Sequence, residues 1–278
     1  MFARLSIVKL VAVLGTFALL PFQSFAALSP TASTVLITGA NRGIGFELAK
    51  QYAERGWNVI ATTRRPVEDA GVKDLRDLAA KYPQVAIERI DVTDTAMIRG
   101  VSAKYQDQPL DVLINNAANV ESTLAADMKI LSLTYDKIDF DAARNDFDVN
   151  TLGPMRMAQA FMPQVQRSKQ KKIVSVTSLA GSFGRGMGGA MGMNYGSSKA
   201  ALNKYMALMS QTKELQDKGV IVALVQPVFV ASKSDMKDLA RADPLDREIG
   251  KLIKLIDGMT MKHAGIITNF TTGETDPF

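Results

Sequence analysis

Residues 33–45 read STVLITGANRGIG. A run of β-branched and apolar residues ends at Thr38, and Gly39, Gly43 and Gly45 follow within seven positions. The next segment, IGFELAKQYAERG, has helical periodicity and stops at Gly56. A strand therefore passes into a helix through a glycine turn. Without side chains, such a turn lets the backbone approach a pyrophosphate, and the helix N-terminus adds N–H donors and a positive dipole end. Gly39, Asn41, Arg42, Gly43, Ile44 and Gly45 form this candidate phosphate cradle.

Outward from this turn, strand and helix signals alternate along the chain. NVIATT is a second strand, DAGVKDLRDLAAKY a helix ended near Pro83, and VAIERIDV a third strand. A capped helix, TDTAMIRGVSAKY, leads to a fourth strand in LDVLINNAA. One or two helices cover 139–166, KIVSVTS is a fifth strand, and YGSSKAALNKYMALMSQTKELQ reads as one long helix. VIVALVQP and AGIITNF supply a sixth and a seventh strand. Apolar strands alternating with helices predict a parallel sheet covered on both faces. With right-handed crossovers this is a single-domain, doubly wound α/β Rossmann fold with a mostly parallel, seven-stranded sheet flanked by helices. The domain is expected over 33–278, preceded by a short linker at 27–32. The glycine-rich stretch GSFGRGMGGAMGM is read as an irregular loop, either a substrate lid or a long connection.

The chain has 278 residues, 47% hydrophobic and 22% charged, enough for a substantial core. Its net charge is +5, of which Arg4 and Lys9 supply two units, and a dispersed excess this mild predicts no nucleic-acid binding. Lys169, Lys171 and Lys172 are expected to form a solvated loop. No cysteine is present, which excludes disulfides and thiolate sites, and His263 is the one histidine. Neither a His-rich metal site nor a Ser-His-Asp triad can be assembled, and no metal is expected. Residues 1–26 follow the secretory pattern: Arg4 and Lys9, the apolar run LVAVLGTFALL, then Ser24 and Ala26 before a possible cut at Ala27. Export, to a periplasm, is the expectation; an uncleaved inner-membrane anchor and a cytoplasmic protein are the alternatives.

Further motifs follow in order. Asn115–Ala118 reads NNAA after the fourth strand, Asn150 lies in VNTLGP, and Ser178 ends the fifth strand. Tyr195 and Lys199 form Y-x-x-x-K, and QPVFVAS at 226–232 follows the sixth strand. With T-G-x-x-x-G-x-G at the first turn, this set resembles the short-chain dehydrogenase/reductase family over about residues 33–273. The pattern is most similar to the carbonyl reductase branch containing the fly protein sniffer and the bacterial C-factor. Three features depart from the family. Ala118 and Val228 replace glycines, and the serine-to-tyrosine gap is 17 residues, the extra length falling in the glycine-rich loop.

The resemblance implies that Tyr195 is the general acid/base, that Ser178 orients the substrate oxygen, and that Lys199 tunes the phenol and holds the nicotinamide ribose. It implies that Asn150 fixes a water in a proton relay. On a helix, Tyr195 and Lys199 share a face. An ammonium about 4 Å from a phenolate is worth about 4 kcal/mol at an effective dielectric of about 20, roughly three pKa units. Asp91 and Val92 are expected at the adenine, Asn116 and Ala117 along the adenosine ribose, and Pro227, Val230 and Ser232 on the nicotinamide side. Charge argues for NADP(H) over NAD(H). Thr63 stands where an acid would bond the ribose, while Arg42 and Arg64 suit a 2′-phosphate. The expected activity interconverts a small-molecule carbonyl and a secondary alcohol. A homodimer or homotetramer is expected, with Met206, Leu208 and Met209 on the candidate interface. The competing reading is an exported nucleotide-binding sensor with little turnover. The variable loops at 119–145, 181–194 and 233–248 would choose the substrate.

Overall fold

Among the described residues eight short strands build the sheet: β1 (Thr34–Ile37), β2 (Asn58–Thr63), β3 (Val85–Arg89), β4 (Val112–Asn115), β5 (Lys172–Val176), β6 (Ile221–Gln226), β7 (Ile267–Asn269) and β8 (Thr275–Asp276). Their order is β3-β2-β1-β4-β5-β6-β7-β8. The first seven run parallel, and β8 pairs antiparallel with β7. The mostly parallel sheet is as the sequence predicts; the eighth strand is an addition, too short to leave an alternating pattern. This is a computed structural model, and it describes residues 28–119, 135–184, 193–227 and 244–276.

Alternate residues of each strand enter opposite cores, as the period-two geometry of a strand requires. Val35 and Ile37, Val112 and Ile114, and Val174 face one layer. That layer holds α1 (Gly43–Glu54), α2 (Lys73–Lys81) and α8 (Leu245–Gly258). Leu36, Leu113 and Ile173 face the other, against α3 (Thr95–Lys104), α5 (Gly153–Arg167) and α6 (Met193–Ser210). The strand order reverses between β1 and β4, so a crevice opens at the carboxyl ends of these two strands.

Several local expectations change. The segment 139–166 divides into α4 (Phe140–Phe147), a π turn (Asp148–Leu152) and α5. The long helix from Tyr195 ends at Ser210, and α7 (Lys213–Asp217) follows as a separate helix. Helix α8 was not anticipated, although its buried Ile249, Leu252, Ile253 and Ile256 stand at helical spacing. Lys172 is not part of a solvated loop: it is buried, and its amine donates to the carbonyls of Ile256 and Asp257 at the end of α8, at 2.7 and 3.1 Å. Met206 is fully buried in the chain's own core and Met209 packs against it, while Leu208 is 51% exposed. His263 makes a reciprocal cap with Thr260, a structural role.

Residues 28–32 lie against the domain. Leu28 packs on the core, and Asn58 bonds both the amide and the carbonyl of Ser29 at 2.8 Å. The secretory-type segment 1–26, most of the glycine-rich loop, and Val228, Val230 and Ser232 lie outside the described residues, as do 120–134 and 233–243 of the variable loops. Among the described residues no helix is long and apolar enough to cross a membrane.

Phe161 is a large, fully buried side chain on α5. Phe161→Ala is expected to destabilise the fold by about 3–5 kcal/mol, read as a lower midpoint in urea unfolding with an unchanged slope.

Candidate active site

The glycine turn is closed onto the end of β4. The Thr38 hydroxyl accepts from the amides of Asn116 and Ala117, at 2.9 and 3.0 Å. The Asn116 side chain donates to the carbonyls of Thr38 and Gly39, at 2.8 and 3.2 Å. Gly39 and Gly43 have φ of +66° and +57°, the left-handed region that favours glycine. A Cβ on Gly45 would stand 2.3 Å from the Gly39 carbonyl oxygen and 2.5 Å from the Asn116 amide nitrogen. Arg42, at the N-cap of α1, makes no side-chain capping bond, and no acid lies in the first turn. First-turn amides therefore keep donor capacity. A side-chain-free turn, open amides and the lack of a nearby acid fit a pyrophosphate. The Asn41 side-chain amide donates to the Gly71 carbonyl at 3.2 Å, and Ile44 packs its side chain against the core beneath the turn.

On the adenosine side, Thr63 ends β2, buried, and accepts from the Arg65 amide. Arg65 pairs with Asp69 at 3.1 Å, whereas Arg42 and Arg64 are exposed. The Asp91 carboxylate accepts from the amide and hydroxyl of Thr93. Val92 is buried, and its side chain lies where a Cβ on Gly153 would meet it. Pro227 follows β6, half-buried.

On the chemical side the four expected residues come from three elements. Ser178 follows β5, its hydroxyl accepts from the Ala180 amide at 3.2 Å, and it is near enough to the Tyr195 phenol to favour the phenolate. Tyr195 and Lys199 rise from the first turns of α6, both buried. Asn150 lies in the π turn. Its oxygen accepts from the Asn119 amide at 2.7 Å; its nitrogen donates to the Asn119 carbonyl at 2.9 Å and to the Ser198 hydroxyl at 3.0 Å. That hydroxyl donates in turn to the Tyr195 carbonyl at 2.8 Å. Asn150 thus ties the loop after β4 to the helix carrying Tyr195. The extra residue of the π turn brings it inward, a device common at functional sites.

The electrostatics differ from the simple pair expected. Burial pushes the Tyr195 phenol up to about 12; the neighbouring Ser178 hydroxyl lowers it and the Asp146 carboxylate raises it further. Burial pushes the Lys199 amine down to about 8. Lys199 donates to the Val176 carbonyl at 3.0 Å and lies 5.8 Å from the centre of the Tyr195 ring. Burial, rather than the lysine charge, dominates the phenol in this arrangement.

Four supporting residues were missed in the sequence. Thr177 donates to Asn203 at 2.5 Å, and Asn203 donates to the Gly181 carbonyl at 3.2 Å, fixing the turn after Ser178. Asn119 and Asp146 join the Asn150 clamp, with the Asn119 amide donating to the Asp146 carboxylate at 2.8 Å. Asn203 stands one turn beyond Lys199, a spacing that placed it on the same face of the predicted helix.

Lys199→Met should make the protein more stable near neutral pH, by about 1–2 kcal/mol. Below about pH 8 the folded lysine keeps its proton, so the burial cost is present in full. Between about 8 and its ordinary value of 10.5 the folded protein has released a proton that the unfolded chain still holds. Wild-type stability then rises with pH, and the advantage of the variant shrinks. Urea unfolding across this range checks both signs.

The model of the short chain dehydrogenase family matches residues 33–244. An uncharacterised oxidoreductase of Schizosaccharomyces pombe is 29% identical over 269 residues, covering 90% of this chain and 100% of that protein. The NADPH-bound carbonyl reductase from chicken fatty liver superposes with a TM-score of 0.75 at 26% identity, over 89% of this chain and 99% of that one. The carbonyl reductase Sniffer of D. melanogaster gives a TM-score of 0.75 at 22% identity, over 89% and 100% of the two chains. A likeness at that identity shows the fold and not the branch. With the family match running over most of its length, the chain belongs to the short-chain dehydrogenase family.

Proposed function

We propose that this protein is an NADP(H)-dependent oxidoreductase that interconverts a carbonyl and a secondary alcohol, with Tyr195 as general acid/base. One observation carries the reading: a buried tyrosine, beside Ser178 and one helical turn from the buried Lys199, on the family fold with a glycine turn in which a Cβ on Gly45 has no room. The glycine turn and the first amides of α1 would hold the pyrophosphate, Asn116 and Ala117 would line the adenosine ribose, and Asp91 and Val92 the adenine. Arg42 and Arg64, exposed and without an acid at Thr63, would bond the 2′-phosphate. Pro227, Val230 and Ser232 would bound the nicotinamide side. When bound, the reduced nicotinamide supplies the hydride.

The chain supplies position and a proton. Ser178 holds the substrate oxygen beside the Tyr195 hydroxyl. Tyr195 gives its proton to that oxygen in reduction and takes one in oxidation. Lys199 holds the nicotinamide ribose and, while protonated, stabilises the phenolate left behind. Asn150 keeps the floor of the crevice joined to α6. NADPH-bound carbonyl reductase from chicken fatty liver supports this cofactor and substrate class by its fold and printed description. The sequence pattern supports the sniffer and C-factor branch.

A homodimer or homotetramer is supported by the exposed Phe147, Leu152, Tyr205 and Leu208 on the π-turn and α6 side. For residues 1–26 we propose an export signal, on the charge and hydropathy pattern alone; a reporter fused to the C-terminus that is active only in the cytosol would overturn it.

Fluorescence titration should show NADPH binding at least about tenfold more tightly than NADH, with Arg64→Ala removing most of that preference, as loss of a charge-assisted bond implies. Tyr195→Phe should bind NADPH as the wild type does and lose about 10²–10⁴-fold in turnover. A sensor would keep its biological effect in the same variant. Binding of neither nucleotide would overturn the reading.

A further inference from the structure

Ser178 and Tyr195 stand 17 residues apart in sequence. A connection of that length reaches up to roughly 55–60 Å when extended, so it cannot by itself set the spacing of the two side chains. Contacts across the fold do so. Ser178 opens a short 3-10 turn, Leu179–Gly181, that lies against the start of α6. A Cβ on Gly181 would stand 2.7 Å from the Lys199 carbonyl carbon and 2.8 Å from the Ala200 amide nitrogen. One on Gly196 would stand 3.0 Å from the Ala180 carbonyl oxygen. Farther along α6, the buried Asn203 spans the serine. Its Oδ1 accepts from the hydroxyl of Thr177, the residue before Ser178, at 2.5 Å. Its Nδ2 donates to the carbonyl of Gly181, three residues after Ser178, at 3.2 Å. The turn is closed on itself by the Gly181 amide, which donates to the Ser178 carbonyl at 3.0 Å. Leu202 and Met206, near Asn203 on the same helix, lie in the apolar core. A buried amide in such a place is costly unless it is bonded, and both ends of this one are bonded to the chain flanking Ser178.

Resting on the reading that Ser178 orients the substrate oxygen beside Tyr195, we infer that Asn203 is a positioning residue. It clamps the chain on both sides of Ser178 to the helix that carries Tyr195, and so sets the distance between the serine hydroxyl and the phenol. Lys199 adds a grip one residue earlier, donating to the Val176 carbonyl at 3.0 Å. Helix α6 thus holds Val176, Thr177 and Gly181, and Ser178 lies between the held positions. The hydrogen bonds of Asn203 go to Thr177 and Gly181 and not to the glycine turn, so its part in the reaction is geometric. A misplacement of about 1 Å in a reacting group costs on the order of 10²-fold in rate. A loosened serine therefore costs turnover and leaves cofactor affinity as it was.

Asn203→Leu keeps the bulk of the side chain and removes both bonds. Thr177→Val removes one of them and serves if the first variant folds poorly; Thr177→Ser restores the hydroxyl. NADPH-dependent reduction is measured across a panel of aldehydes and ketones, in the wild-type and in a Ser178→Ala background, by single-turnover mixing so that slow rates stay measurable. Asn203→Leu should slow the wild-type background by about tenfold or more, with NADPH affinity unchanged. It should add little once Ser178 is alanine, because residues that act as a unit are not additive. Thr177→Val should lose rate in the same direction, and Thr177→Ser should regain it. Equal losses in both backgrounds are the mark of a merely structural role and would overturn the proposal, as would full rate in both Asn203→Leu and Thr177→Val. A second readout needs no turnover. The amides of Ala180 and Gly181 should exchange hydrogen several-fold faster in Asn203→Leu, while β5 keeps its protection. In a wild type that reduces no carbonyl, faster exchange confined to this turn upholds the clamp and sinks the reductase reading, and unchanged exchange sinks the clamp.

Discussion

The close approach of Gly45 to the carbonyl of Gly39 and the amide of Asn116 is the constraint on which the crevice depends. At 2.3 and 2.5 Å from those atoms there is no room for any Cβ. The approach draws the start of α1 down onto the ends of β1 and β4, where the strand order reverses. Thr38 and Asn116 then zip the two strand ends together with four hydrogen bonds. The result is a floor made of backbone, flanked by a helix start without an acid. The following loop, through Asn119, carries the same rigidity across to the π turn and α6. One packing contact at the cradle thus fixes the frame in which Tyr195 and Ser178 sit.

Much of this was legible because it rests on local chemistry. Strands buried on both faces read as continuous apolar runs, and the parallel sheet follows from them. The glycine turn is legible because only glycine tolerates φ of +66° and +57° and the close approach together. What was not legible depends on partners distant in sequence. Lys172 sits in a run of lysines and looks solvated, yet the end of α8 places two backbone carbonyls beside it, 84 and 85 residues away. Met206 looks like interface in a one-dimensional reading, but the helix turns it onto the chain's own core. Helix α8 is a different case: its apolar residues do stand at helical spacing, a local signal of the same kind as in the other helices.

The candidate site divides along the same line. Asn150, Ser178, Tyr195 and Lys199 stand out as candidates from spacing and resemblance, because their motifs are short and ordered along the chain. Asn119, Asp146 and Ser198 do not, because nothing in their types announces a role. Their significance is a bonded circuit closed across 27 to 48 residues of sequence. Asn119 sits next to the N-N-A-A stretch and Asp146 one turn before Asn150, so adjacency to known motifs was the available signal. The residues that would choose the substrate fall largely in stretches that carry no such pattern.

Burial and pairing compete at Tyr195, and magnitudes decide between them. An ammonium about 4 Å from a phenolate at an effective dielectric of about 20 would offset several kcal/mol of burial cost. Lys199 stands 5.8 Å from the ring centre and donates a hydrogen bond to the Val176 carbonyl, so its charge lies farther from the phenol than in the close pair. Its own burial also lowers its affinity for the proton that makes it useful. Two groups that are each costly to charge in the same apolar pocket favour the state in which the phenol keeps its proton. The tuning of this site is therefore a matter of which buried group carries charge, and burial acts on the phenol and the amine alike by favouring the neutral form of each.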